Sequence, residues 1–450
     1  MALRQIFRVR HCFRVRHCAR LPLLFVVFCG LAGCKHDDKL LVNASFIDSL
    51  IRHYAPPVLA AENQKELEFW RNRIDPARPG YVNESRYAGS LNMSFRLTGE
   101  FDSLRKADSI LEKVDERFKH HEASALLALV SHRVTEHRFM DADSLLIRAK
   151  QIGLRPYESL TTSFDVDFEL GRYLQARAEL NSLRNPSDFG YYFRKSKIDH
   201  LDGELDTAIA DMDRAAVLAG KNPFLRGVAL SNEGDLDVHA ENLGNARDAY
   251  MECMRLNAAD MHSLMGLGWI ALVHDHDDSL AGKIFRFAGA HTRLPDPLFK
   301  LAQVAENSAA PGDSIRQVQC ANQFVARATH PMYGRMYNKY LLQLYTGILH
   351  DPAKAESLAM DELHNRATPQ TYAWYAWALF ANGKKEQAYA VFKKKVSGQP
   401  LEALELCWMG RLMEGLNKNY NAQQFYTAAQ KTHFDLDPAD AQYIQKHLAQ

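Results

Sequence analysis

Residues 371–400 read TYAWYAWALFANGKKEQAYAVFKKKVSGQP, and the fold turns on how this stretch is divided. Tyr372, Ala376 and Leu379 fall four and three apart, the spacing of one face of an α-helix. Gly383 interrupts the run, and a glycine ends a helix by taking the left-handed conformation. Ala388 and Phe392 then stripe a second helix. Pro400 closes the unit, because proline cannot continue a helix interior. The stretch predicts helix, glycine turn, helix.

The unit recurs. Ala107, Ala142, Ala176, Ala208, Ala249, Ala281, Ala321, Ala355, Ala388 and Ala422 stand 35, 34, 32, 41, 32, 40, 34, 33 and 34 residues apart. Four residues after each comes an apolar or aromatic side chain, from Leu111 and Leu146 to Phe392 and Tyr426. Seven after, eight of the ten are apolar, and Glu362 and Lys395 break the pattern. A residue as small as alanine lets a partner helix cross closely. Gly171, Gly203, Gly244 and Gly383 each stand five residues before one of these alanines, where a turn between paired helices is expected.

A helical hairpin repeating at about 34 residues resembles the tetratricopeptide repeat family. The resemblance covers roughly 85–450, with good copies at 122–186 and 369–434 and degenerate ones at 85–115 and 224–331. Ala107 follows a three-residue insertion, and the intervals of 41 and 40 hold extra chain. The resemblance implies an all-α, right-handed superhelical solenoid of about ten helix-turn-helix repeats, whose first helices line a concave groove. Residues 40–84 are expected to supply one or two helices capping the stack, and the closing YIQKHLAQ to cap the other end.

The first 33 residues are of another kind. Residues 1–20 carry six arginines and no acid, including the doubled hexamer FRVRHC, Phe7–Cys12 and Phe13–Cys18. Leu21 to Gly33 carries no charge and is shorter than the roughly 20 helical residues needed to span a bilayer. A basic segment, a short apolar run and small residues describe a secretory signal peptide. Leu31-Ala32-Gly33-Cys34 looks like the lipobox of bacterial lipoproteins. That resemblance implies cleavage before Cys34, diacylglycerol on its thiol and a fatty acyl chain such as palmitate on the new amine. His11, Cys12, His17 and Cys18 then belong to a discarded leader and not to a metal site. The expected division is a signal peptide at 1–33, a tether with capping helices at 34–84 and the solenoid at 85–450. The acids in Lys35-His36-Asp37-Asp38 loosely resemble the surface-export signal of Bacteroidetes lipoproteins. The expected address is the bacterial cell envelope, the outer membrane above all, on its periplasmic or surface face.

Removing six arginines from a chain of 55 basic and 54 acidic residues leaves it at −5. A nucleic-acid binder would show a basic face, so none is expected as partner. Only Cys253, Cys320 and Cys407 follow Cys34, far apart and odd in number, which is no disulfide framework. Nucleophile-elbow, phosphate-loop, dinucleotide and H-E-x-x-H motifs are all missing. The chain is therefore expected to be a binding protein and not an enzyme, with no cofactor.

A repeat solenoid of this kind binds protein or peptide partners in its groove, and aromatics with arginine supply most of such binding energy. Tyr337, Tyr340, Trp377 and Arg411 are the candidate groove residues. The lysines and asparagines of the carboxylate clamp found in chaperone-binding repeat proteins are missing. Two alternatives stand beside the scaffold. One is a glycan-capture lipoprotein resembling the SusD group. The other is a metal-dependent enzyme using the imidazoles and carboxylates of HDHDD, His274–Asp278; a solvated turn explains that cluster more simply.

Overall fold

The computed structural model describes residues 40–75, 77, 80–308, 312–416 and 421–449. The basic leader, Cys34 and the acidic residues after it lie outside the described residues. Among the described residues there are 23 α-helices and no strand. No helix among them is long and apolar enough to cross a membrane.

Two leading helices, α1 (Ala44–Arg52) and α2 (Val58–Arg71), precede ten hairpins. The first five are α3/α4 (Tyr81–Thr98, Phe101–Arg117), α5/α6 (Ala123–Thr135, Phe139–Ile152), α7/α8 (Pro156–Glu169, Tyr173–Ser182), α9/α10 (Phe189–Leu201, Leu205–Leu218) and α11/α12 (Pro223–His239, Leu243–Leu256). The second five are α13/α14 (Met261–Val273, Asp278–His291), α15/α16 (Asp296–Asn307, Asp313–Ala328), α17/α18 (Asn338–Thr346, Pro352–Asn365), α19/α20 (Pro369–Ala381, Lys385–Val391) and α21/α22 (Ala403–Gly415, Ala422–Ala429). A last helix, α23 (Pro438–Leu448), packs on the tenth hairpin. The all-α solenoid of hairpin repeats is what the sequence predicts.

All ten alanines lie on second helices, and nine are buried; Ala422, opening α22, is half-buried. The frame needs one correction. In α12 the residue at the close crossing is Ala246, not Ala249, because Tyr250 and Cys253 fill the places four and seven further on. Gly244, expected in the turn, lies inside α12; the left-handed residue there is Glu241, φ 62°. Tyr250 shows why the crossing must be small. A Cβ on Gly234 of α11, or on Gly266 of α13, would stand 2.5 Å from its ring. One tyrosine thus fits between two glycines and holds adjacent hairpins together.

The two exceptions seven residues on also have causes. Glu362 is buried because Asn338, Asn365 and Arg366 all donate to it. Lys395 is exposed because residues 392–396 form a π-helical turn, which adds a residue and brings Val396 to the core instead.

The coil closes on itself. Successive turns of the superhelix touch along their edges, at an offset of five or six hairpins. Gly99, in the α3/α4 turn, lies against Thr292 and Leu294, which follow the sixth hairpin. The α5/α6 turn takes a bond from Arg335 N to Glu136 O at 3.0 Å. There Asn365 also donates to His137 O at 2.8 Å and accepts from Phe139 N at 2.9 Å. The α11/α12 turn meets the chain after the tenth hairpin through His239–Asp435 and Glu241–His433, both 2.5 Å. The N-terminal segment joins in. Leu41 N and Val42 N donate to Asp275 at 2.9 and 2.8 Å, and α1 packs on α14. Of the two leading helices, α2 packs on the first hairpin, against α3.

Candidate functional site

Closure of the coil turns the expected groove into a lumen. Two cavities share its centre, one of about 550 Å³ and one of about 380 Å³. His239, Lys339, Tyr340, Glu402 and Asp435 line both. Most of the wall comes from first helices of the third to tenth hairpins, as the repeat architecture dictates.

The partition between the cavities is ionic. Lys339 reaches Glu402 at 2.9 Å and Glu405 at 3.0 Å. Its ammonium holds the Glu402 carboxyl down at about 2. Burial raises Glu405, which also accepts from Trp374 Nε1 at 2.7 Å. Beside them, burial favours a neutral His239, but the Asp435 carboxylate outweighs it and raises the imidazole. His200 packs on that ring at 4.8 Å and is itself lowered, by burial and then by His239.

The larger cavity has a basic wall of Lys197, Arg335 and Arg366. His137 stands there too, lowered to about 4 by burial and then by Arg366. The smaller cavity is acidic, lined by Asp235, Asp296, Asp435, Asp437 and Glu402. Asp235 raises His262, 2.9 Å away, to about 9. Lys300 rests its ammonium 3.4 Å over the ring of Trp269, and burial lowers it to about 8.

The structure separates the four expected groove residues. Tyr340 lines both cavities, so its 36% exposure is to the lumen. Tyr337 precedes α17, is 4% exposed and donates to Asp296 at 2.6 Å; it is a core side chain. Trp377, 9% exposed, stacks parallel to Trp408 at 5.9 Å and donates to Thr346. Arg411 binds Asp440 at 2.6 Å and lies 3.9 Å over Tyr443, fastening the tenth hairpin to α23. Trp377 and Arg411 meet only at a side pocket of about 110 Å³. Sequence reasoning missed Lys300, Lys339, His239 and Glu402. The available signal was charge on first helices where a packing stripe leaves the inner face free, as in Asp296 and Lys300, four apart.

The HDHDD cluster is occupied in building its turn. Asp275 accepts from His274 at 2.7 Å as well as from Leu41 and Val42, Asp277 caps α14, and His276 takes the left-handed position. Among the described residues, no three His, Cys, Asp or Glu side chains are gathered to hold a metal. Burial pushes the Cys253 thiol up to about 12 and Cys407 well above its ordinary value, so neither is poised as a thiolate.

No family model matches the chain, and no curated protein matches it. Among solved structures, a tetratricopeptide repeat protein from Parabacteroides merdae is 13% identical, covering 59% of this chain and 100% of its own, with a TM-score of 0.34. Yeast Tom70 is 12% identical over 87% of this chain and 96% of its own, TM-score 0.34. Human IFIT1 is 10% identical over 75% of this chain and 77% of its own, TM-score 0.44. The assignment to a tetratricopeptide-like solenoid rests on the ten hairpins themselves.

Proposed function

We propose that the chain is a lipid-anchored scaffold of the bacterial cell envelope that holds a segment of a protein or peptide partner inside its coil. The observation that carries this reading is the lumen. It is accessible, since Tyr340 and about half of the Glu402 side chain are open to it, and it is lined by rings and by charges of both signs. Pockets of some 300–1,000 Å³ with few, fixed polar groups are the usual form of a binding site.

A photo-crosslinking amino acid at position 340 tests the lumen in cells. It is expected to capture a discrete protein band, whereas the same group at Tyr157, which is exposed and lines neither cavity, captures none. Absence of a band from position 340 overturns the reading. The anchor is tested separately: Cys34→Ser is expected to move the protein from the membrane to the soluble fraction, because no described helix could hold it there.

A further inference from the structure

We infer that the acidic cavity is a subsite for a primary ammonium group of the partner, with Lys300 as an internal cation that the incoming ammonium displaces from Trp269. The inference rests on the lumen being the binding site and names what that site selects.

The charges decide it. Of the five carboxylates, Asp435 is matched by His239, Glu402 by Lys339 and Asp235 by His262. Asp296 and Asp437 have only neutral donors. Asp296 accepts from Tyr337. Asp437 accepts from Gln343 at 2.9 Å, Gln303 at 3.4 Å and Asp440 N at 2.8 Å. Against these two stands one ammonium, Lys300, and no carboxylate among the described residues lies within ion-pair distance of it. Two carboxylates thus face one unpaired ammonium, and burial raises Asp296 above its ordinary value.

The hydrogen-bond inventory agrees. Gln303, 7% exposed, lines the cavity with its Oε1 buried and without a donor. A buried acceptor left unmade costs free energy, which a donor restores. The wall thus offers acceptors and ring faces, and an ammonium brings three donors, no acceptor and a charge that aromatic faces attract. Lys300 already shows the mode of binding on Trp269.

The ammonium could come from a lysine side chain or from a free amino terminus, and calorimetry on the full chain separates them. Three probes suffice: a pentapeptide of four alanines with central lysine and both ends blocked, its norleucine counterpart, and pentaalanine with a free amino terminus. At least one ammonium peptide is expected to bind about tenfold or more tighter than the norleucine peptide. Asp296→Asn is expected to weaken the ammonium peptide about tenfold and leave the norleucine peptide unchanged. Lys300→Met is expected to tighten binding, a gain that a misfolded variant cannot produce. Equal binding of the norleucine peptide, no binding of either ammonium peptide, or weaker binding by Lys300→Met overturns the inference. If those failures occur while position 340 still captures a partner in cells, the scaffold survives and only the ammonium subsite falls. If capture fails too, both fall.

Discussion

Two seams hold this coil together, and they are made of different material. Between neighbouring hairpins the seam is apolar and close, as where Tyr250 lies between Gly234 and Gly266. Between successive turns of the superhelix it is polar and sparse, as where Asn365 bridges His137 and Phe139 across 226 residues of chain. The first seam is repeated at each of the nine junctions between the ten hairpins and is set by nearest neighbours, which is how solenoids gain their stability. The second occurs once at each point and turns an open array into a closed one. Because the lumen is where the second seam brings distant hairpins face to face, the chemistry of the site depends on the weaker of the two.

The contrast can be broken by experiment. Gly266→Ala drives a Cβ into the ring of a buried tyrosine and is expected to cost about 2–3 kcal/mol in urea unfolding. Its effect should be global, with loss of the whole cooperative transition at lower urea. Asn365→Ala strips partners from a buried backbone N–H and a carbonyl and is expected to cost about 2 kcal/mol. Its effect should be local: faster hydrogen exchange at Phe139 and Arg138, with the hairpin helices still protected. Should Asn365→Ala lower protection everywhere by as much as Gly266→Ala, the two seams are one cooperative unit.

The same contrast explains what was legible in the sequence. Spacing of small and large apolar residues is periodic, and Ala142, Ala176, Ala208 and Ala388 announce their hairpins. The frame slipped at α12 because Gly244 imitates a turn glycine while Glu241 takes the turn. The π turn before Val396 adds a residue that no fixed period contains. Edge contacts such as Arg335–Glu136 or Asp275–Leu41 carry no period at all, so the closure of the groove was invisible. Spacing alone does not separate Tyr340, which lines both cavities, from Tyr337, three residues away, which is buried against Asp296.

His137 joins the two seams and makes one of them sensitive to acid. Its folded value near 4 lies below the ordinary imidazole value of 6.5, owing to burial and then to Arg366. The folded state therefore prefers the neutral ring. The stability this contributes is complete above pH 6.5 and is lost as pH falls from 6.5 through 4. His137→Asn keeps a side chain that tolerates the left-handed backbone and removes the titration. Measured as the difference in melting temperature between variant and parent, the gain from the substitution should grow as pH drops from 6.5 to 4 and vanish above 7.

The smallest effect tests why histidines stand where glycines were sought. Gly171, Gly203 and Gly383 take the left-handed position five residues before an alanine; His137, His276 and His350 take the same position in other hairpins. An L-residue there costs about 1 kcal/mol relative to its right-handed form, a cost glycine avoids. His350 is exposed, so replacing it removes no burial. His350→Gly is expected to raise stability by up to about 1 kcal/mol, reduced by the greater freedom of glycine in the unfolded chain. The converse substitution isolates the backbone. A Cβ on Gly383 would meet no atom within 4 Å, so Gly383→Ala should cost about 1 kcal/mol from conformation alone. If Gly383→Ala is neutral in a urea titration, the left-handed turn carries no strain, and the glycines mark the hairpins for some reason other than the backbone angle they share with the histidines.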